Sequence, residues 1–128
     1  MPSAQCPMPS ANYEMKNTYR SGLFAEFLAR LWLRLHFYEI LESRYVTGQH
    51  TGRAEIDIIA RRGNTIVFAE VKNRPSAAVG LEAVTFAQGV RLRRAAETYL
   101  LRRRWMGDAR FDIMVVSGFR IRHFKNAV

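Results

Sequence analysis

Three charged residues sit where a strand pair would bring them together. The segment AEIDIIA (54–60) and the segment TIVFAEVK (65–72) are both rich in branched apolar residues and flank Arg62-Gly63-Asn64, a turn signal. A hairpin centred between Gly63 and Asn64 pairs residues whose numbers sum to 127. Asp57 then lies opposite Glu70, and alternation puts Lys72 on the same face as Glu70. Directly opposed like charges in a half-buried sheet repel and call for a cation. A divalent ion such as Mg²⁺ typically takes one or two carboxylates, completing its shell with water or phosphate oxygens. With Lys72 turned to the attacking water or the scissile phosphate, Asp57, Glu70 and Lys72 would suit metal-assisted phosphodiester hydrolysis. The same three charges also make a plain salt-bridge cluster, and spacing alone leaves both readings open. A one-residue slip in register would send Asp57 to the opposite face.

Charge points the same way. Twenty Lys and Arg against eleven Asp and Glu give a net +9, and the sequence pI is near 10.6. Such a field attracts polyanions, nucleic acid foremost. Seventeen of the basic residues are Arg, and Lys72 is the only lysine between residues 17 and 124. A lone interior lysine in an arginine-rich chain suggests a position that uses an ammonium. Residues 91–104 hold six Arg and one Glu. That run reads either as a solvated helix face or as a phosphate track led by Arg91, Arg94 and Arg102, with Arg74 and the hairpin residues Arg53, Arg61 and Arg62 extending it.

The elements that must position these groups follow from periodicity. Residues 1–17, with three of the four prolines, read as a disordered tail, and 18–128 as one domain. A helix over about 20–36 carries the stripe Phe24, Phe27, Leu28, Leu31 and Leu35, expected to face the core. A strand follows at 38–46, then the hairpin, a loop over 73–84, and a second helix from about 86 to 104 with Leu92, Ala95, Ala96, Tyr99 and Leu100 inward. Another strand spans 110–116, and 119–124 adds an edge. The order αβββαβ is that of an α/β sheet in which a meander precedes a helical crossover. No apolar run reaches the ~20 residues of a membrane span, and the N-terminus has no secretory pattern. With the single cysteine Cys6 excluding an internal disulfide, a cytoplasmic protein that does not enter membranes is expected. His36, His50 and His123 have no metal-ligand spacing and read as structural or solvated. Trp32, Trp105, Phe24, Phe27 and Tyr99 read as core.

Several segments together carry a family resemblance: GLFAE (22–26), AEIDIIA, VFAEVKNR (67–74), AVT (83–85), RLRRAAETYL, RFDIMVV (110–116) and the terminal HFKNAV. Over about residues 18–128 the chain resembles the YraN family of small bacterial proteins. That family is similar to the PD-(D/E)xK, restriction-endonuclease-like superfamily and to archaeal Holliday-junction resolvases. The resemblance implies a restriction-endonuclease-like αβββαβ core, a mixed sheet flanked by helices. It implies a Mg²⁺- or Mn²⁺-dependent nuclease acting on DNA, with Asp57, Glu70 and Lys72 as its core site. Glu26 matches an acid that some superfamily members add to the metal, although Arg30 one turn later offers a surface ion pair instead. Gln88 matches a phosphate- or water-contacting position, although Thr85-x-x-Gln88 is also a capping box. Asp112 matches a family acid of no assigned role. Two residues depart from the pattern: Ala54 stands where the family usually has Gly, and Gln88 where it usually has Lys, which puts the role of position 88 in question.

Three classes of function stay in view. One is a nuclease, selective for DNA structure rather than sequence, since no base-reading module is visible. Another is a nucleic-acid-binding module with the same fold and little or no catalysis. An anionic-membrane binder is the third, disfavoured by the lack of a free amphipathic helix. So short a chain with no evident specificity element also suggests a partner or a homodimer.

Overall fold

The computed structural model describes the backbone of residues 11–47, 54–75 and 86–127, and the side chains of 22–47, 54–75 and 89–127. The element order is α1 (Ala11–Leu35), β1 (Glu39–Thr47), β2 (Ala54–Arg62), β3 (Thr65–Asn73), α2 (Phe86–Arg103), β4 (Asp108–Ser117) and β5 (Arg120–Phe124). The five strands form one sheet in chain order, β1-β2-β3-β4-β5. Only the β3–β4 pair is parallel, as it must be when α2 carries the chain back across the sheet.

The hairpin register is the expected one. Arg62 pairs with Thr65 and Ile58 with Ala69, so paired numbers sum to 127 around a two-residue turn. Gly63 takes φ 60 there, a left-handed conformation that glycine adopts without penalty. Both helices end alike. Tyr38 N–H donates to the Leu33 carbonyl at 2.9 Å and Trp105 N–H to that of Leu100 at 3.0 Å, across the left-handed residues Phe37 and Arg104. This closing bond satisfies carbonyls that the helix end would leave bare.

α1 departs from expectation in two ways. It begins at Ala11, inside the segment read as a tail: within that segment no proline follows Pro9, and Ala, Glu, Met and Lys all suit a helix. Its inward face is also a different one. Ala25, Ala29 and Leu33 are buried, whereas Phe24, Phe27, Leu31 and Leu35 are 48%, 50%, 43% and 69% exposed. The period was right and the phase wrong. Apolar residues ring this helix, and the alanines, not the large side chains, let it lie close on the sheet against Ile58, Ala60, Val67, Ala69, Met114 and Val116. On the opposite face α2 packs Leu92, Ala95, Ala96 and Tyr99 against Ile56, Ile59, Ile66 and Phe68, the inward set its periodicity implied. Each helix thus seals one face of the sheet. Among the described residues no helix is long and apolar enough to cross a membrane.

One irregularity matters for the site. Ile56 packs on the α2 side of the sheet, yet Ile58 packs on the α1 side together with Ala60. Ile59 faces α2 again. Alternation is regular on each side of Asp57, and the strand changes phase near it. Across from this point, Tyr45 pairs with Ile56 and Ser43 with Ile58, while Arg44 between them takes φ 54. The two neighbouring strands therefore bend at matched positions.

Candidate functional site

Asp57 sits at this bend, where the β2–β3 ladder stops at Ile58–Ala69. Its carboxylate takes the place of the next backbone acceptor: Oδ2 receives the Val71 N–H at 2.8 Å. The expected direct cross-strand pair of Asp57 with Glu70 is not part of the ladder. The side chain instead reaches the peptide between Glu70 and Val71, which brings the two acids within electrostatic range of each other. Lys72 Nζ lies 3.9 Å from Glu70 Oε1, and both side chains are largely buried, at 11% and 16% exposure.

Burial dominates the acidity of this pair. It pushes the Asp57 carboxyl up to about 6; the Val71 N–H pulls it down, and the charges of Glu26 and Glu55 push it up again. Glu70 rises to about 7, first through burial and then through Asp57, against the opposing pull of Lys72. Two half-buried carboxylates that resist ionising together form a donor set a divalent cation would relieve, and two carboxylates with oxygen ligands from elsewhere are enough for Mg²⁺. Below Glu70 the sheet is tightly packed: a gap of only about 10 Å³ is lined by Ile56, Phe68, Glu70 and Leu92 among others. Leu92 places the first half of α2 beside Glu70, and Gln88 lies one helical turn ahead of it. The Gln88 side chain, like Thr85 of its capping box, lies outside the described residues.

Glu26 is buried, not a surface residue, because α1 is rotated from the expected phase. Its partner is Arg44 rather than Arg30. Nε meets Oε1 at 2.9 Å and a terminal guanidinium nitrogen meets Oε2 at 3.3 Å, a two-pronged ion pair joining α1 to β1. Among the described residues no three Asp, Glu, His or Cys side chains converge to hold an ion. Glu26 acts on Asp57 as a nearby charge, and as a metal ligand it would first have to leave Arg44.

Asp112 proves to be the centre of a separate buried network. It is fully buried and accepts two bonds from Arg110, at 2.8 and 2.9 Å, one from the Asn126 N–H at 2.8 Å, and one from His123 Nε2 at 2.5 Å. Arg110 continues to the Tyr38 hydroxyl at 3.0 Å. Burial alone would raise the Asp112 carboxyl, but the bonds from His123 and Arg110 overcome it and hold the group down at about 2. His123 is therefore a buried structural residue that ties β5 to β4. A lone acid inside the apolar run RFDIMVV was the visible signal, but its partners were not.

Arg91, Arg94 and Arg102 are exposed along α2, and Arg74 is exposed at the end of β3. Arg61 and Arg62 are engaged with aromatic rings. They lie at the turn end of the hairpin, away from Asp57. Arg61 stacks over Trp105 at 5.0 Å, and Arg62 covers Tyr38 at 4.9 Å while donating to the His36 carbonyl. Arg53 and His50 lie outside the described residues.

The α1-capped mixed sheet, with an Asp at the hairpin's bend and a Glu-x-Lys on its second strand, defines an α/β protein of restriction-endonuclease-like fold. A sequence profile of "Uncharacterised protein family UPF0102" matches residues 25–116, and the chain belongs to that family. It is the YraN-type family whose motifs the sequence carries. A UPF0102 protein of Paramagnetospirillum magneticum is 40% identical over 111 residues, covering 84% of this chain and 86% of the relative. UPF0102 proteins of Agrobacterium fabrum and a Caulobacter species are each 42% identical, over 84% of this chain and 88% and 76% of their own lengths.

Proposed function

We propose that the protein is a metal-dependent endonuclease that hydrolyses DNA phosphodiester bonds, choosing its substrate by structure, such as a branch, rather than by sequence. The observation that carries this reading is the half-buried Asp57–Glu70 pair, both acids raised in pKa, with Lys72 at 3.9 Å from Glu70. A surface cluster made only for stability gains little from holding two carboxylates where each opposes the other's ionisation. Asp57 and Glu70 would hold Mg²⁺ or Mn²⁺, which supplies positive charge against the phosphate oxygens. Lys72, fixed by Glu70, offers its ammonium to the negative charge that grows on the phosphoryl group in the transition state. Arg91, Arg94, Arg102 and Arg74 would hold the DNA backbone, and Gln88, at the start of α2, would contact phosphate or water near the helix N-terminus. Cleavage of linear and branched DNA with Mg²⁺ or Mn²⁺, by wild type and Lys72→Met, tests the assignment.

One observation favours the second reading, a binding module without catalysis. Arg44 already neutralises Glu26, so the acid that the family resemblance adds to the metal is engaged in an ion pair instead. In that case Lys72→Met would leave every DNA-dependent property unchanged.

The proposal includes a homodimer. Phe24, Phe27, Leu31 and Leu35 run exposed along α1, and Phe24 meets Phe119 of the β4–β5 turn edge-to-face at 5.9 Å. An apolar strip spanning two elements marks an interaction surface. At 150–250 Å² for a whole aromatic side chain, these residues expose on the order of 500 Å² per copy. Two copies together then reach the ~1,000 Å² that a specific interface needs.

A further inference from the structure

A cleft lies on the α2 side of the sheet, at its β1 edge. Glu42 and Tyr45 from β1 and Tyr99, Arg102 and Arg103 from the end of α2 line an open cleft of about 260 Å³. Tyr45 stands edge-to-face with Tyr99, centroids 5.3 Å apart, and Arg103 reaches the Tyr99 hydroxyl at 3.4 Å. Tyr99 is buried, so its ring props Tyr45, which stays partly exposed. Arg102 and Arg103 are exposed residues.

We infer that this cleft holds one unpaired nucleobase of a DNA strand together with its adjoining phosphate. This deepens the proposed function and rests on it, by specifying that the substrate carries unpaired nucleotides. The chemistry at the cleft fits each part of such a ligand. An aromatic face supports a base by stacking whatever its sequence, and guanidiniums pair with phosphate. The Glu42 carboxylate can accept only from donors, and among the bases these are ring N–H groups and exocyclic amines. The size also discriminates: the cleft is below the ~300–1,000 Å³ of ordinary small-molecule pockets, enough for a single base and too small for a base pair. A surface that merely tracked duplex backbone would need the arginines and not a recessed tyrosine. Position ties the cleft to the carboxylates. Tyr45 pairs with Ile56, the residue before Asp57, and Ile56 also lines the gap beneath Glu70 on this same side of the sheet. An unpaired base seated against Tyr45 would thus bring the strand to the strand end that carries Asp57 and Glu70.

The test is fluorescence anisotropy with three probes: oligodeoxycytidylate, oligodeoxythymidylate and a blunt duplex of matched length. Wild type is compared with Tyr45→Ala, Tyr45→Phe and Glu42→Gln. Tyr45→Ala should weaken both single strands about tenfold or more and the duplex less than about twofold, and Tyr45→Phe should restore binding, because stacking needs the ring and not the hydroxyl. Glu42→Gln should change the ratio of cytidylate to thymidylate affinity, because the carboxylate meets the exocyclic amine of cytosine and the ring N–H of thymine differently. If Tyr45→Ala proves unfolded by circular dichroism, Glu42→Gln at the exposed rim decides. Wild type that binds duplex well but single strands no better, with all variants equal to it, overturns the inference and leaves the nuclease reading standing. Failure to bind any of the three probes overturns the inference, and cleavage of branched DNA then decides the nuclease reading by itself.

Discussion

The Asp57 carboxylate accepts the backbone N–H of Val71 at 2.8 Å, so a side chain closes the hairpin ladder where backbone pairing ends. The bond gives the Asp57 carboxylate a fixed backbone partner at the point where its strand bends. It also ties the acid to the peptide that joins Glu70 to Val71, one residue ahead of Lys72, and any shift in one strand is felt at the other.

The pH dependence of stability follows from the two raised carboxyls. Their folded-state values, about 6 for Asp57 and about 7 for Glu70, lie above the ordinary 3.8 and 4.5. The folded protein therefore holds more protons than the unfolded chain between about pH 4 and pH 7. Stability contributed by these groups is fully present below pH 4 and is lost as pH rises through 7. The metal-free protein should lose on the order of 2–4 kcal/mol across that window, after allowance for coupling and partial exposure. Thermal melts in chelator from pH 4.5 to 8 measure it, and Glu70→Gln should flatten the profile.

Asp112 has the opposite sign. Its carboxyl is lowered to about 2, so its contribution is present above about pH 4 and lost as pH falls through 2. Asp112→Asn would leave Arg110 without its anion, and breaking such a pair costs about 3–5 kcal/mol, nearer the lower figure here because Arg110 is 24% exposed. Urea unfolding at pH 7 would show this loss, and the variant should lack the acid limb below pH 4.

The arginines of α2 should govern salt dependence. Replacing Arg91, Arg94 and Arg102 with Gln should reduce the slope of log K against log salt by up to about three units if each meets a phosphate. Titrations of a DNA duplex at several salt concentrations give the slope, and an unchanged slope would move the interface elsewhere on the protein.

For the apolar strip on α1 the readout is mass. Sedimentation equilibrium should find a dimer, and Phe27→Asp with Leu31→Asp should convert it to a folded monomer. A monomeric wild type at high micromolar concentration would remove the homodimer from the proposal.

Much of the fold was legible because its signals are local. Gly63-Asn64 set the hairpin register, and the small inward residues Ala95 and Ala96 between Leu92 and Tyr99 set the phase of α2. The phase of α1 was not legible, since Phe24, Phe27, Leu31 and Leu35 outweigh Ala25 and Ala29 in any apolar count, although alanines allow the closer approach. The same error hid the burial of Glu26. Its partner Arg44 is 18 residues away, on a bent strand whose left-handed φ no residue type announces. The Asp112 network likewise joins Tyr38, Arg110, His123 and Asn126, groups that only the folded sheet brings together. At the candidate site, alternation brought Glu70 and Lys72 together, and the bend at Asp57 is what periodicity could not show.

The most direct test of the central claim is a pair of melts, with Mg²⁺ and with chelator, for wild type and Asp57→Asn, run beside a cleavage assay on linear and branched DNA. Wild type should melt higher with Mg²⁺ and cut DNA. Asp57→Asn should lose both the shift and the cleavage while its metal-free form is as stable as wild type or more so, because one of two opposed charges is gone. A wild type with no Mg²⁺ shift and no cleavage of any substrate, together with a clearly destabilised Asp57→Asn, would contradict the nuclease account and leave a salt-bridge cluster in a binding module.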